Sequence, residues 1–129
     1  MSEPLHHRPL WQAIGIALVA FVIYQSLTPA PIEVEVGEGN RLGHLTAYGT
    51  LMIWYCQLYS RRSTRLACMI GFVLLGIGLE VAQGFTGYRT FDPADMMANA
   101  AGTALGWLLA PPRLPNFLLL SERFLPHVR

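Results

Sequence analysis

The chain has 129 residues, of which 53% are hydrophobic and 13% charged, about half the charge of an ordinary soluble domain. A water-soluble globule is therefore excluded as the expected class. A formal net charge of +1, with every basic residue an arginine, gives no footprint for nucleic acid.

Hydropathy divides the chain into four apolar stretches. The first, Leu10 to Leu27, is close to the ~20 residues that an α-helix needs to cross the hydrocarbon core. It is read as a retained span. A cleaved signal peptide, with His6, His7 and Arg8 as its charged start and Thr28-Pro29-Ala30 as its cut, is disfavoured by Pro31 after the cut and by the length of the apolar run. Residues 28 to 40 (TPAPIEVEVGEGN) cannot continue a helix.

The second stretch runs from Leu42 to Tyr59 and the third from Leu66 to Phe85, with the polar turn SRRSTR between them. Cys56 and Cys68 flank that turn and read as free thiols, because no CxxC or Cys/His spacing suggests zinc. The break GFTGYRTFDP leads into the fourth stretch, Ala94 to Ala110. Residues 111 to 129 hold further prolines and a short apolar run, and read as an interfacial or flexible cytoplasmic tail. Backbone groups in lipid must be satisfied internally, so the expected fold is an all-α membrane domain over 1–129 with four transmembrane helices. Arginine placement sets its orientation. Arg8, Arg61, Arg62, Arg65, Arg113, Arg123 and Arg129 fall on one side, and Arg41 and Arg89 on the other. Both termini are then cytoplasmic.

Ionisable residues inside spans are rare and costly. Here they gather at the extracytoplasmic end: Arg41, His44 and Tyr48 in the second span, Glu80 and Gln83 in the third, Asp92, Asp95 and Asn99 in the fourth. Residues three, four and seven apart share a helix face, which gives three polar stripes at one depth that should face each other. Asp92-Pro93-Ala94-Asp95 also reads as a helix cap, with proline at the first helical position and an acid in the first turn. Capping is the favoured reading for Asp92, and capping and site membership both stand for Asp95. Gly102 and Gly106 form a GxxxG pattern that continues the polar stripe and offers a contact for helix packing or a homo-oligomer.

The series Arg41-x-x-His44-x-x-x-Tyr48, Glu80-x-x-Gln83, Tyr88-Arg89-x-x-Asp92-x-x-Asp95 and Asn99-x-x-Gly102-x-x-x-Gly106 resembles the VanZ-like family of membrane proteins. The resemblance covers roughly residues 40 to 107, and it departs at Arg41, where family members usually carry lysine. It implies a multi-pass protein of the bacterial inner membrane, in a family whose named member is associated with low-level resistance to the glycopeptide teicoplanin. It supplies no mechanism.

Three functional expectations follow. The first is a site for an anionic lipid-linked envelope molecule, with Arg41 and Arg89 holding phosphate or carboxylate, His44 and Glu80 supplying acid–base function, and Gln83, Asp92, Asp95 and Asn99 completing the site. The second is a structural ion-pair network in a non-enzymatic partner of envelope enzymes. The third is a small transporter or proton relay. Membrane lipids, and a lipid-linked cell-wall precursor, are the expected partners. No cofactor signature is present, and His44, Glu80 and Asp95 fit no metal-ligand motif.

Overall fold

The computed structural model describes residues 4–32 and 41–127; the acidic segment with Glu33, Glu35 and Glu38 lies outside them. The described residues contain no strand. They form five helices: α1 (Arg8–Leu27), α2 (Arg41–Leu58), α3 (Arg62–Phe85), α4 (Pro93–Leu108) and the short α5 (Phe117–Glu122).

Local chemistry explains several of the ends. Pro9 and Pro93 stand in the first turns of α1 and α4, where a missing N–H costs nothing and the fixed φ suits the helix. The Asp92 side chain accepts from the Ala94 amide at 2.9 Å and so caps α4. At the end of α3 the Thr86 hydroxyl donates to the Gln83 carbonyl at 2.7 Å, and Gly87, at φ 78°, turns the chain through a conformation that side chains resist. The third helix begins at Arg62, four residues before the apolar run, because the arginine-rich turn folds into its first turn.

α2 is the centre of the bundle. Tyr48, Leu51, Met52 and Cys56 are buried there, packed with Val22 of α1, Phe72 and Leu79 of α3 and Ala110 beyond α4. Its contact with α4 is the closest in the molecule. A Cβ on Gly49 would stand 3.3 Å from the Gly102 carbonyl oxygen, one on Gly102 would overlap the Leu45 carbonyl, and one on Gly106 would meet the Gly49 carbonyl oxygen and Met52 Cβ at 2.7 Å. Residue numbers rise together along this contact, so α2 and α4 run parallel and α3 returns between them. The GxxxG face considered for an oligomer is thus filled by α2 of the same chain.

Outside, the pattern inverts that of a soluble bundle: Ile16 and Phe21 on α1 and Ile70, Leu74, Ile77 and Val81 on α3 are exposed. α1 and α3 are long and apolar enough to cross a membrane. The other two expected spans lack that signature. α2 has 18 residues but holds the polar stripe, and α4 has 16, about 24 Å at 1.5 Å per residue against a core of about 30 Å.

At the end of the bundle away from that stripe, polar side chains replace helix caps. Arg65 donates to the carbonyls of Cys56, Tyr59 and Pro111, at 2.9, 2.7 and 2.7 Å, and so holds the end of α2 to the chain leaving α4. The tail folds back on the start of the chain, with Leu118 buried among Leu5, Trp11 and Leu58. Glu122 accepts from the His6 and His7 amides at 2.9 and 2.7 Å and from the Trp11 indole at 2.8 Å. Burial opposes its ionisation, but the two amides, the indole and the His7 ring together hold the Glu122 carboxyl below its ordinary value. Both cysteines are free, Cys56 buried and Cys68 half-buried.

Two stability outcomes are expected of the detergent-solubilised protein. Gly102→Ala should cost about 1–3 kcal/mol, because backbone must move to admit a methyl group. Gly78→Ala, with nothing within 4 Å of the added carbon, should gain about 0.5–1 kcal/mol of helix stability; chemical denaturation of both variants checks the contrast. A carboxyl titrating low in the folded state stabilises above its unfolded value, near ~4.3, and loses that contribution as pH falls through the folded value. Glu122→Gln should therefore melt below wild type at neutral pH, and the gap should close under acid.

Candidate functional site

Helix register brings the three polar stripes together. His44 stands one turn into α2, Glu80 near the end of α3 and Asp95 in the first turn of α4. One donor atom from each lies within 4.8 Å of the other two. His44 Nε2 is 3.6 Å from Asp95 Oδ2, and His44 Nδ1 is 2.9 Å from Asn99 Oδ1. A carboxamide oxygen only accepts, so Nδ1 carries the proton and Nε2 faces the carboxylates. Glu80 is 1% exposed. Its Oε1 accepts from the Asp92 backbone amide at 2.8 Å, so the α3–α4 connection sets the orientation of the buried acid.

Small residues make this approach possible. Gly76, one turn before Glu80, lies against Asn99: a Cβ there would meet Asn99 Cβ and Nδ2 at 3.1 Å and Tyr48 Cε1 at 3.4 Å. Asn99 is buried, and its carbonyl accepts from the Thr103 hydroxyl at 2.9 Å. Tyr48 is 2% exposed, and its hydroxyl has no hydrogen-bond partner among the described residues. It is near enough to Glu80 to sense its charge.

The remaining expected residues divide. The Asp92 carboxylate caps α4 while its amide serves Glu80. Gln83 turns away from Glu80 and donates to the Ser26 carbonyl at 2.8 Å, locking α3 to α1. Arg89 Nη1 donates to the Gln25 and Thr28 carbonyls at 3.0 and 2.9 Å, an end-of-helix contact that suits a cation. Arg41 and Arg89 both act electrostatically on the Asp95 carboxylate, so each contributes positive charge to the cluster from its rim.

A cavity of about 480 Å³ opens between α1 and α2 beside this cluster. Leu18, Phe21, Val22 and Leu51 give it an apolar lining, and Gln25, Ser26, His44, Gln83 and Arg89 a polar one. Lining residues of α2 run from Leu42 to Leu51, so the cavity follows the helix for about 14 Å at 1.5 Å per residue. The sequence reading confines the site to three helices and misses this contribution of α1. The adjacent Gln25 and Ser26 at the end of an otherwise apolar helix were its available signal.

The family model described as VanZ/LLP1 matches residues 6–119. An uncharacterized protein of Schizosaccharomyces pombe is 34% identical over 101 residues, which are 75% of this chain and 60% of the relative. The chain thus spans 60% of the length of the relative that it matches. No solved structure matches.

The unpartnered hydroxyl generates a direct test. A buried polar group without a partner costs about 1–3 kcal/mol, so Tyr48→Phe should hold or raise the melting temperature of the ligand-free protein. A lowered melting temperature would show that the hydroxyl is bonded in the folded state.

Proposed function

The chain belongs to the VanZ/LLP1 family, and on that premise we propose that it is a multi-pass membrane protein that binds an anionic, lipid-linked molecule at the polar end of its bundle. In this reading α2 and α4 also cross the bilayer, α2 at the centre of the bundle and α4 turning Met97, Leu105 and Leu108 outward to lipid, with both termini cytoplasmic and the site on the opposite face.

The observation that carries the reading is the cavity between α1 and α2, in which an apolar bed ends at His44 and Arg89. An amphiphile suits that arrangement, its chain along Leu18, Phe21 and Leu51 and its acidic head near the two guanidinium groups. His44 and Glu80 are the pair able to exchange a proton with such a head group, with Asp95 and Asn99 positioning the imidazole. Teicoplanin resistance in the family's named member fits action on a lipid-linked cell-wall precursor. The fission-yeast relative means that similar chains occur outside bacteria, which favours the part common to many lipids, a phosphate on an apolar chain.

A second reading, a non-enzymatic partner of envelope enzymes with a structural polar network, is supported by Arg89 and Asp92, whose observed bonds serve helix ends. The two readings part in one experiment. Lipids that copurify with the chain in mild detergent are quantified by mass spectrometry for wild type, Ala47→Trp and Arg41→Ala. Ala47 lines the cavity, and a tryptophan there should fill it and remove most of the bound anionic lipid. Arg41→Ala should weaken binding about tenfold, the ~1.4 kcal/mol of one exposed charge-assisted contact. Equal anionic lipid on all three folded proteins would overturn the lipid reading and favour the structural one.

A further inference from the structure

We propose that His44, Glu80 and Asp95 form a binding site for one divalent transition-metal ion. The proposal goes beyond lipid binding and stands on the donors alone. They come from three different helices, yet one atom from each lies within 4.8 Å of the others. The imidazole is set for the task, because Asn99 Oδ1 takes the Nδ1 proton at 2.9 Å and leaves the Nε2 lone pair facing Asp95 Oδ2 at 3.6 Å. A carbonyl partner behind a histidine is the usual way a metal ligand is fixed in tautomer and orientation.

The carboxylates are held in a matching way. The Asp92 amide anchors Glu80 Oε1 at 2.8 Å, fixing the acid with a neutral donor. Two carboxylates held this close to each other repel unless a cation or proton lies between them. Two carboxylates and a neutral imidazole sum to two negative charges, which a divalent ion cancels. Tyr48 is the independent sign of a ligand: its hydroxyl is buried and unpartnered one turn from His44 on the same face of α2 and beside Glu80. In this proposal it is the group that would bond a water or head group carried by the ion.

Donor chemistry narrows the metal. One imidazole and two carboxylates without a thiolate suit Zn²⁺ or Mn²⁺ and not Cu⁺ or an iron–sulfur cluster. Bonds of about 2.0–2.2 Å to a tetrahedral ion put donors about 3.4 Å apart; the His44–Asp95 pair is already near that spacing, and rotation of Glu80 closes the rest. Arg41 and Arg89 reduce the local negative charge but reach it from the rim, leaving the space between the three donors to the ion. His44 and Glu80 then hold the metal instead of exchanging a proton, at a point where His44 also lines the α1–α2 cavity.

The test uses the full chain in detergent, stripped with a chelator and titrated with Zn²⁺ or Mn²⁺, with bound metal measured by elemental analysis and stability by melting temperature. Wild type should take up one ion per chain and melt higher with it. Asp95→Asn, nearly isosteric, should lose that ion, and Asn99→Ala should bind about 10–100-fold more weakly, as for other partners of metal-bound histidines. His6, His7 and His127 lie together at the opposite end, so the triple variant His6→Ala, His7→Ala, His127→Ala serves as control and should keep both uptake and stabilisation. If Asp95→Asn misfolds, Co²⁺ in wild type and Asn99→Ala provides the spectrum, and a shifted ligand-field absorption supports the site. No uptake by wild type, uptake unchanged in Asp95→Asn, or uptake lost only in the triple variant overturns the proposal. Stripped protein that still carries anionic lipid leaves the lipid reading standing whichever way the titration falls.

Discussion

The glycine-lined approach of α4 to α2 is the constraint on which the rest of the molecule depends. Helices with ordinary side chains lie 8–10 Å apart. Here Gly49, Gly102 and Gly106 remove the side chains that would enforce such a spacing, and the Leu45 and Gly49 carbonyls occupy the space. In a bilayer, where lipid is as apolar as leucine, close van der Waals contact of this kind is a main source of helix association. It also sets the geometry of the cluster, because His44 lies next to Leu45 and Asn99 and Asp95 are the residues one and two turns above Gly102. A wider crossing would carry the imidazole out of reach of both.

A second glycine extends the argument to α3. Gly76 admits the Asn99 side chain and brings Glu80, one turn later, to the depth of His44 and Asp95. Packing and chemistry are therefore one problem in this fold. The residues without side chains determine which of the charged ones can meet, and the charged ones tolerate burial because they meet.

Much of this was legible in the sequence. The four long helices, the convergence of His44, Glu80 and Asp95, and the cap at Asp92 all follow from periodicity and from the local chemistry of Asp-Pro. Other features could not be read, and the reasons are physical. Gln83 and Glu80 share one helical stripe, but a difference of three residues is about 60° of rotation, enough to direct one at α1 and the other at α4. Arg89 has the same appearance in sequence whether it awaits an anion or ends a helix. A ligand set drawn from three helices has no spacing motif, so the proposal of a metal ion rests on geometry that the sequence does not display. The apolar signature of α1 and α3 is absent from α2 because hydropathy averages around a helix, and the polar stripe of α2 lowers that average.

The bonds from the His6 and His7 amides to Glu122 join two segments separated by more than a hundred residues and close the chain into a loop. Either end that frays strips the other of its hydrogen bonds, so the two open as one cooperative unit rather than independently. The clasp also places both segments at a single point of the bundle, on the end opposite the polar cluster. A protein domain joined to either one would be delivered to the same spot, and the face that carries the cluster would stay uncovered in both cases.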